Sequence, residues 1–438
     1  MTYKIRLFLT FVFPVIAFLS TKADNPIIPN NGICDSHIHI FEGKAYLYSG
    51  RDANPQAKTY TMPDWQIYSS DDLVNWKAER TIYPEETYLG KGNTRCYATD
   101  AALRNGNYYF YFSNGKDHTS GVLRGKTPAG PFEDPLKKAL LYPELTPMDA
   151  EHDPTIFFDD DANQTPYIIF GRSKTEPFHI ARLNEDMISL AETPRPIASK
   201  GYASDQNFLF KRNGTYYLSF TNNRYITSTN IYGPYGSVKN AGGYGGHGCY
   251  FTWNNQWYRT TNNGDTSRFF RKTLMTYVHF RKNGDMVNDS EFYKTGYAYS
   301  YGVGQYNAEW PKIQAEWYFA SEGIEKSDNE KGDFEIQEIH NGDWLKFPNV
   351  RNLKSKTTFI FCVSSQNKKG GTIEIREGAR NGKLLGICKV RDTTSWNEYK
   401  IVNCRLNNDT KTKDIYLVFR GDKNELMRLD WFLFNKLM

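Results

Sequence analysis

Hydrophobic and polar residues alternate in short runs between residues 25 and 303, and a two-part unit recurs along this region. Alternation with a period of two predicts strands, and a spacing of roughly 40–60 residues is typical of one four-stranded propeller blade. Five units therefore predict a five-bladed β-propeller, with a β-sandwich as the alternative. The tyrosine-rich part of each unit, predicted as its inner strand, lies at residues 44–49, 107–113, 166–171, 215–221 and 256–261. The amphipathic part that follows lies at residues 66–76, 121–132, 179–187, 225–235 and 274–285.

Polar residues stand directly ahead of these units. Because inner strands of a propeller begin at the same end of the central channel, the residues before them should converge on one axis. Asp35, Asp153 and Asp205 stand there, together with Asp100 and His247. Each Asp alone is typical of a turn cap, but the repetition favours a shared site. Three convergent carboxyls suit glycosidic hydrolysis, in which one activates water, one protonates the leaving oxygen and a third keeps the acid protonated.

The pattern changes after residue 303. A polar and aromatic connection occupies residues 306–311, and short alternating strands follow over residues 313–434, a length typical of one β-sandwich. We therefore expect an all-β protein with a propeller at residues 24–305 and a jelly-roll β-sandwich at residues 312–438.

Composition agrees with this interpretation. Aromatic residues make up 16% of the 438 residues, and the formal net charge is only +5. Basic residues are scattered among acidic ones, which argues against a nucleic-acid partner. Aromatic and polar surfaces suit an oligo- or polysaccharide instead, since sugar rings stack on aromatic faces.

The amino-terminal segment resembles a secretory signal peptide over residues 1–23. Lys4 and Arg6 precede an apolar run at residues 7–19, and residues 21–23 form a small-x-Ala cleavage site. The alternative, a membrane anchor, would need about 20 apolar residues. We expect an exported, periplasmic or extracellular monomer without a membrane span after cleavage.

The six cysteines are too few for a disulfide framework in so long a chain. Cys388 and Cys404 are candidates for neighbouring strands of the C-terminal domain and could pair there. Buried free thiols are the alternative. The spacing of the cysteines does not indicate a zinc site.

Residues 25–303 resemble glycoside hydrolase family 43, a family of inverting enzymes with five-bladed propellers. The stretch CDSHIHIFEGKAYLY is similar to the first-blade motif and implies that Asp35 is the general base, although Ser36 replaces the usual Pro. HDPTIFFDDD is similar to the motif whose Asp modulates the pKa of the acid, which implies that role for Asp153. Asp205 aligns with the acid, at a position where the family has Glu.

Two further stretches carry the resemblance. CYATDAALRNGNYYFYFS is similar to the second-blade motif and contains Tyr97 and Asp100, whereas GGHGCYFTWNNQWY is similar to the motif whose His ligates a central ion or its water. The resemblance thus implies an ion near His247 in the propeller channel and no cofactor for catalysis. The candidate substrate-binding residues of the propeller are His37, Tyr97, Asp100, His247 and Arg271.

The resemblance implies an α-L-arabinofuranosidase or β-xylosidase that acts on polysaccharide side chains or oligosaccharides. Two alternatives stay open. One is a non-catalytic propeller that binds carbohydrate, and the other is a related β-galactofuranosidase or galactosidase that uses an Asp as its acid.

The C-terminal domain resembles carbohydrate-binding module family 6 in IQAEWYFASEGI, IHNGDWLKFPNV, GGTIEIREG and TTSWNEYKIV. This resemblance implies structural calcium bound by Glu316 and Asp430, oxygen ligands that suit this ion. It also implies that Trp396 contacts sugar. Glu338 and Arg428 occupy the other two positions of that sugar site, where the family has an aromatic residue and Asn.

Two clusters have competing interpretations. His37 and His39 alternate along one strand and could bind a metal, although sheet histidines beside a pocket are more common. Residues 159–161, three consecutive Asp, resemble a calcium loop but are more typical of a solvated acidic turn.

Overall fold

The structure, a computed structural model, describes residues 21–22, 25–197, 205–297, 301–407 and 414–435. The predicted signal peptide lies outside the described residues except for strand β1, Thr21–Lys22, which pairs with a strand of the first blade. The described residues contain no helix that is long and apolar enough to cross a membrane.

The predicted propeller is present as five consecutive antiparallel sheets. Blade one holds β2 Ile33–Phe41, β3 Lys44–Arg51, β4 Trp65–Ser70 and β5 Asn75–Ile82. Blade two holds β6 Cys96–Arg104, β7 Asn107–Asn114, β8 Thr119–Gly125 and β9 Phe132–Glu133. Blade three holds β10 Thr155–Phe158, β11 Pro166–Phe170, β12 His179–Arg182 and β13 Arg195–Pro196. Blade four holds β14 Phe208–Arg212, β15 Thr215–Phe220, β16 Arg224–Ser228 and β17 Lys239–Asn240. Blade five holds β18 Tyr250–Trp253, β19 Gln256–Ser267, β20 Phe270–Phe280 and β21 Met286–Asn288.

The prediction of the inner strands was wrong by one strand. The first strands of the blades lie against one another: β6 contacts β2 and β10, β10 contacts β14, and β18 contacts β2. The tyrosine-rich segments are the second strands. Their aromatic side chains are buried on both faces, as in β7, because each blade packs between two others. An aromatic run therefore marks the strand between blades rather than the strand on the axis.

Blade five closes the ring against blade one. The hydroxyl of Thr273 on β20 donates a hydrogen bond of 2.9 Å to the carbonyl of Ile33 on β2. The amide of Asn25 donates to the carbonyl of Met275 at 2.8 Å, which ties the segment before blade one to the same strand.

The C-terminal domain is a sandwich of two antiparallel sheets. The first sheet consists of β23 Ile313–Gln314, β25 Glu325–Asp328, β26 Phe334–Ile339, β29 Thr358–Ser364, β32 Lys400–Arg405 and β34 Met427–Asn435. The second consists of β24 Ala320–Glu322, β27 Trp344–Phe347, β30 Gly371–Glu377, β31 Leu384–Val390 and β33 Ile415–Gly421. The strand order is β25-β26-β34-β29-β32 in the first sheet, with β23 also paired to β34, and β24-β27-β33-β30-β31 in the second.

Short elements connect the two domains. Helix α1, Glu291–Lys294, follows blade five, and β22 Tyr306–Asn307 pairs in parallel with β28 Val350–Arg351. Short 3-10 helices lie at Pro84–Glu86, Pro143–Leu145, Ala315–Trp317 and Leu353–Ser355.

The sandwich packs against blade five. The amide of Gln256 donates to the carbonyls of Glu316 and Tyr318 at 2.9 and 2.8 Å, and the hydroxyl of Tyr318 donates to the carbonyl of Asn255 at 2.7 Å. Buried apolar side chains of both domains form one continuous cluster. The sandwich therefore supports the blade that carries His247 and Arg271.

Candidate active site

An irregularity at the start of the first strand places the carboxyls. The pairing of β2 with β3 shifts between Cys34 and His37, so that an extra residue bulges out of the ladder. Asp35 lies in this bulge with φ of 53°, in the left-handed region. The same shift occurs in blade two between Cys96 and Thr99.

Blades three and four repeat the left-handed residue at the same place. Asp153 has φ of 55° and Gln206 has φ of 65°. The amide of Gly171 donates to the carbonyl of His152 at 2.8 Å, as that of Thr221 donates to the carbonyl of Asp205 at 3.3 Å. Asp205 therefore occupies in blade four the position that His152 occupies in blade three. The counterpart of Asp153 in blade four is Gln206, one residue later.

All three predicted carboxyls line one cavity of about 320 Å³ at the end of the propeller axis. Three of the candidate substrate-binding residues, Tyr97, His247 and Arg271, line it too. The other lining residues are Tyr60, Arg95, Ala98, His152, Arg172 and Gln206.

Asp35 is held by two residues of blade five. Nη1 of Arg271 lies 2.9 Å from each of its carboxylate oxygens, and the amide of Asn262 donates to Oδ1. The same guanidinium binds Asp52, with Nε to Oδ2 at 2.9 Å and Nη2 to Oδ1 at 3.0 Å. Asp35 is 5% exposed, so the contacts from Nη1 of Arg271 and from Asn262 fix its orientation at the cavity wall.

Asp153 is a buried carboxyl that no Lys or Arg contacts among the described residues. Burial and, second, the nearby Asp205 raise its pKa to about 7. Oδ2 accepts a hydrogen bond of 2.8 Å from the backbone N–H of Gln206, which fixes the side chain against blade four.

Asp205 is half-buried and is oriented by Thr221. The threonine hydroxyl donates to Oδ1 at 2.7 Å, and its oxygen accepts a hydrogen bond of 3.2 Å from the backbone N–H of Asp205. The carboxyl faces the same cavity as those of Asp35 and Asp153.

His247 lies between the carboxyls. Its Nδ1 is 3.6 Å from Oδ1 of Asp35 and 4.0 Å from Oδ2 of Asp153, and burial lowers its pKa. Its Nε2 is buried without a hydrogen-bond partner, as is Nε2 of His37, whose ring lies 5.5 Å away. Two unpartnered imidazole nitrogens in one channel fit the ion or water that the resemblance implies for this place.

The prediction that His37 and Asp100 contact substrate needs correction. Their side chains are 1% and 0% exposed, and neither lines the cavity. Nδ1 of His37 lies 3.1 Å from Oδ1 of Asp100, which His39 also contacts, and Oδ2 accepts from the backbone N–H of Ile156 at 2.6 Å. Burial would raise the pKa of Asp100, but His39 and His37 lower it below its ordinary value. The cluster binds blades one, two and three together.

Sequence reasoning did not identify Tyr60, Arg95, His152, Arg172 and Gln206 as cavity residues. Arg95 precedes β6, and Arg172 follows β11 by two positions, so a search for polar residues at strand ends would have found both. Tyr60 lies on the loop after β3, where its ring packs 4.6 Å from the guanidinium carbon of Arg271. The spacing of the repeated units does not locate a residue on such a loop.

The acidic stretch of residues 159–161 is a turn, as the second interpretation held. Asp161 accepts hydrogen bonds from the backbone of Asn163 and Thr165 at 3.1 and 2.9 Å. Lys211 pairs with Asp159 at 2.8 Å and with Asp160.

The sandwich contains two predicted sites, a sugar site at Trp396 and a calcium site at Glu316 and Asp430. The guanidinium of Arg428 covers one face of Trp396, 4.9 Å from the ring centroid. In the other predicted site Oε2 of Glu316 is buried without a partner, and burial raises the pKa of Asp430 to about 6. Among the described residues, no three His, Cys, Asp or Glu side chains form a metal-binding group.

A propeller whose axial cavity is lined by three carboxyls defines the class of the protein, since paired carboxyls are the machinery of glycoside hydrolases. The model of glycosyl hydrolases family 43 matches residues 23–284, and that of carbohydrate binding module family 6 matches residues 314–436. The chain belongs to glycosyl hydrolases family 43 and is a glycoside hydrolase with a C-terminal carbohydrate-binding module.

Relatives align with both domains. The arabinoxylan arabinofuranohydrolase of Paenibacillus polymyxa is 26% identical over 93% of this chain and 73% of its own length. The enzyme of the same name from Bacillus subtilis is 24% identical over 94% of this chain and 92% of its own. A crystal structure of a family 43 arabinoxylan arabinofuranohydrolase from Bacillus subtilis superposes with a TM-score of 0.56 at 22% identity, covering 94% of this chain and 97% of that one. The superposition confirms the fold.

Proposed function

We propose that the protein is an inverting hydrolase of the α-L-arabinofuranosidase or β-xylosidase type that removes side-chain sugars from a polysaccharide or its oligosaccharides. The convergence of Asp35, Asp153 and Asp205 on one cavity is the observation that carries this proposal. The printed names of the two relatives that span both domains, arabinoxylan arabinofuranohydrolases, support the choice of sugar.

In the proposed reaction Asp35 takes a proton from water as the water oxygen bonds to the anomeric carbon. The bond from that carbon to the leaving oxygen breaks, and this oxygen takes the proton of Asp205. Arg271 orients Asp35, and Asp153 tunes Asp205 and positions the sugar. An ion held near His247 would add positive charge beside these carboxyls.

The test uses a panel of nitrophenyl glycosides: α-L-arabinofuranoside, β-D-xyloside and β-D-galactofuranoside. Nitrophenol leaves readily without a proton, so Asp35→Asn should abolish turnover whereas Asp205→Asn should keep part of it. Asp71→Asn, which alters an exposed carboxylate outside the cavity, is the control. Turnover of none of the three glycosides by the wild type would refute the proposed specificity, and turnover of the galactofuranoside alone would replace it with the galactofuranosidase alternative.

We also propose that residues 1–23 direct export and that the mature protein is a monomer. Mass spectrometry of protein from the expressing cells should then give a chain that begins at residue 24, and light scattering should give the mass of one chain. An intact amino terminus would contradict export by cleavage.

A structural calcium held by Glu316 and Asp430 is a further part of the proposal. Among the described residues, Oε2 of the buried Glu316 has no hydrogen-bond partner, and partial burial raises the pKa of the half-buried Asp430, so the two carboxyls are electrostatically suited to a cation. Calcium should raise the melting temperature of chelator-treated wild type, and Glu316→Gln should remove the response. An unchanged response in the variant would exclude this site.

A further inference from the structure

Two arginines stand on the cavity wall formed by blades two and three. Arg95 lies at the entry to β6, where its carbonyl accepts a hydrogen bond of 2.9 Å from the backbone of Gly115. Arg172 exchanges two backbone hydrogen bonds with Ala150, at 2.9 and 3.1 Å. The main chain of both residues is thus fixed by the blades, so their side chains are presented from rigid positions to the same cavity.

Within the part of the chain that the structure describes, neither guanidinium is paired with a carboxylate. Among the described residues, no carboxylate oxygen lies within 4.0 Å of a nitrogen of Arg95 or Arg172. Arg271, in the same cavity, is by contrast paired with both Asp35 and Asp52. Nη1 of Arg95 donates to the hydroxyl of Tyr97 at 2.7 Å, which leaves most of its five N–H donors available.

The two acidic residues that flank Ala150, the backbone partner of Arg172, are engaged elsewhere. Oε1 of Glu151 accepts the hydroxyl of Thr146 at 2.7 Å, and burial raises the pKa of Glu151 to about 7. Oδ2 of Asp149 accepts the backbone N–H of Lys174 at 3.2 Å. His152, which also lines the cavity, does not add a competing charge because burial lowers its pKa to about 3.

We infer, resting on the proposed function, that Arg95 and Arg172 bind an anionic substituent of the glycan, a carboxylate or a sulfate ester, next to the sugar that is cleaved. A guanidinium matches the two oxygens of either group with two parallel hydrogen bonds. A neutral glycan in the same place would desolvate two positive charges and return no compensating charge. The preferred substrate is therefore an acidic glycan.

The experiment compares three oligosaccharides that carry the same cleavable sugar. One has a uronic acid on the adjacent backbone sugar, the second is the same compound with its carboxyl reduced to an alcohol, and the third carries a sulfate ester there. The ratio of kcat/KM for each acidic compound to that for the reduced one measures the contribution of the charge alone. We expect a ratio of roughly tenfold or more for the uronate, the sulfate or both, which identifies the source of the anion.

The variants Arg172→Gln and Arg95→Gln should each reduce that ratio by roughly tenfold, and raised salt should reduce it in the wild type. Arg124→Gln is the matched control, since Arg124 lies on the outer part of blade two and pairs with Glu133 at 2.6 Å. A ratio near one in the wild type, or an equal loss on acidic and reduced compounds in the variants, would overturn the inference even though hydrolysis itself is observed.

Failure of the proposed function has a different signature. If none of the three compounds is cleaved, calorimetric binding of the uronate and reduced compounds to wild type and Arg172→Gln still decides the inference. Preferential binding of the uronate by wild type, lost in the variant, supports the anion site without hydrolysis. Equal binding of both compounds refutes it.

Discussion

Replacing Asp153 with Asn should stabilise the protein increasingly as the pH rises. Asp153 is 9% exposed, and its pKa is about 7 in the folded protein against an ordinary value of 3.8. The folded protein thus binds this proton more tightly than the unfolded chain. The resulting stabilisation is complete below the unfolded value and is lost as the pH rises to about 7.

The magnitude follows from the same two values. Each pH unit between them corresponds to about 1.4 kcal/mol, so the ionised Asp153 costs the folded protein up to about 4 kcal/mol above pH 7. Between pH 5 and pH 8 the stability of Asp153→Asn relative to wild type should rise by about 2–3 kcal/mol. Asn stays neutral, and its carbonyl can still accept the N–H of Gln206, so the variant keeps this contact.

Scanning calorimetry of both proteins from pH 5 to pH 8 measures the effect. The difference in melting temperature should grow by on the order of 5 °C across this range, since about 2–4 °C corresponds to 1 kcal/mol for domains of 150–250 residues. The exposed control Asp71→Asn should show a constant difference. A constant difference for Asp153→Asn as well would refute the conclusion that this carboxyl is buried without compensation.

Two further substitutions test contacts between remote parts of the chain. Arg271→Met leaves the carboxylates of Asp35 and Asp52 buried without their cation and should destabilise the protein by about 3–5 kcal/mol and abolish turnover, whereas Arg271→Lys should recover part of the stability. Urea unfolding that is equal for Met and Lys would contradict this pairing. The thiols of Cys388 and Cys404, both free in the structure, hydrogen-bond to each other across β31 and β32. Mild oxidation should join them, with the loss of two hydrogens by mass spectrometry and a gain of about 3 kcal/mol. Cys404→Ser should not respond, and equal melting of reduced and oxidised wild type would contradict the expected gain.

The fold class could be predicted because its signal is local. Alternation with a period of two and turns at regular intervals are properties of neighbouring residues, and they indicated five blades and a sandwich. The assignment of inner strands failed for the opposite reason. The distance of a strand from the propeller axis depends on which sheets pack on either side of it. An aromatic run such as β7 indicates that the strand is buried, but not where in the blade the strand lies.

The site was predictable as far as it repeats. Asp35 and Asp153 lie at equivalent places in their blades, so one pattern located both, and Asp205 lies one position earlier than Asp153 does. Asp100 was predicted from the same repeated position, yet it bonds to His37 and does not line the cavity. The bulges in β2 and β6 decide which side chains turn toward the axis there, and alternation alone does not reveal them.

The strands, the two domains and the carboxyls that could do the chemistry are each encoded within a few neighbouring residues, so they could be read from the chain. Which charges meet depends on how distant segments pack. Arg271 reaches Asp35 across 236 positions of the chain and neutralises it, whereas Arg95 and Arg172 arrive in the same cavity without a carboxylate partner. The physical reason is ring closure, which brings the ends of distant strands within a few ångströms and thereby sets the charge of the cavity.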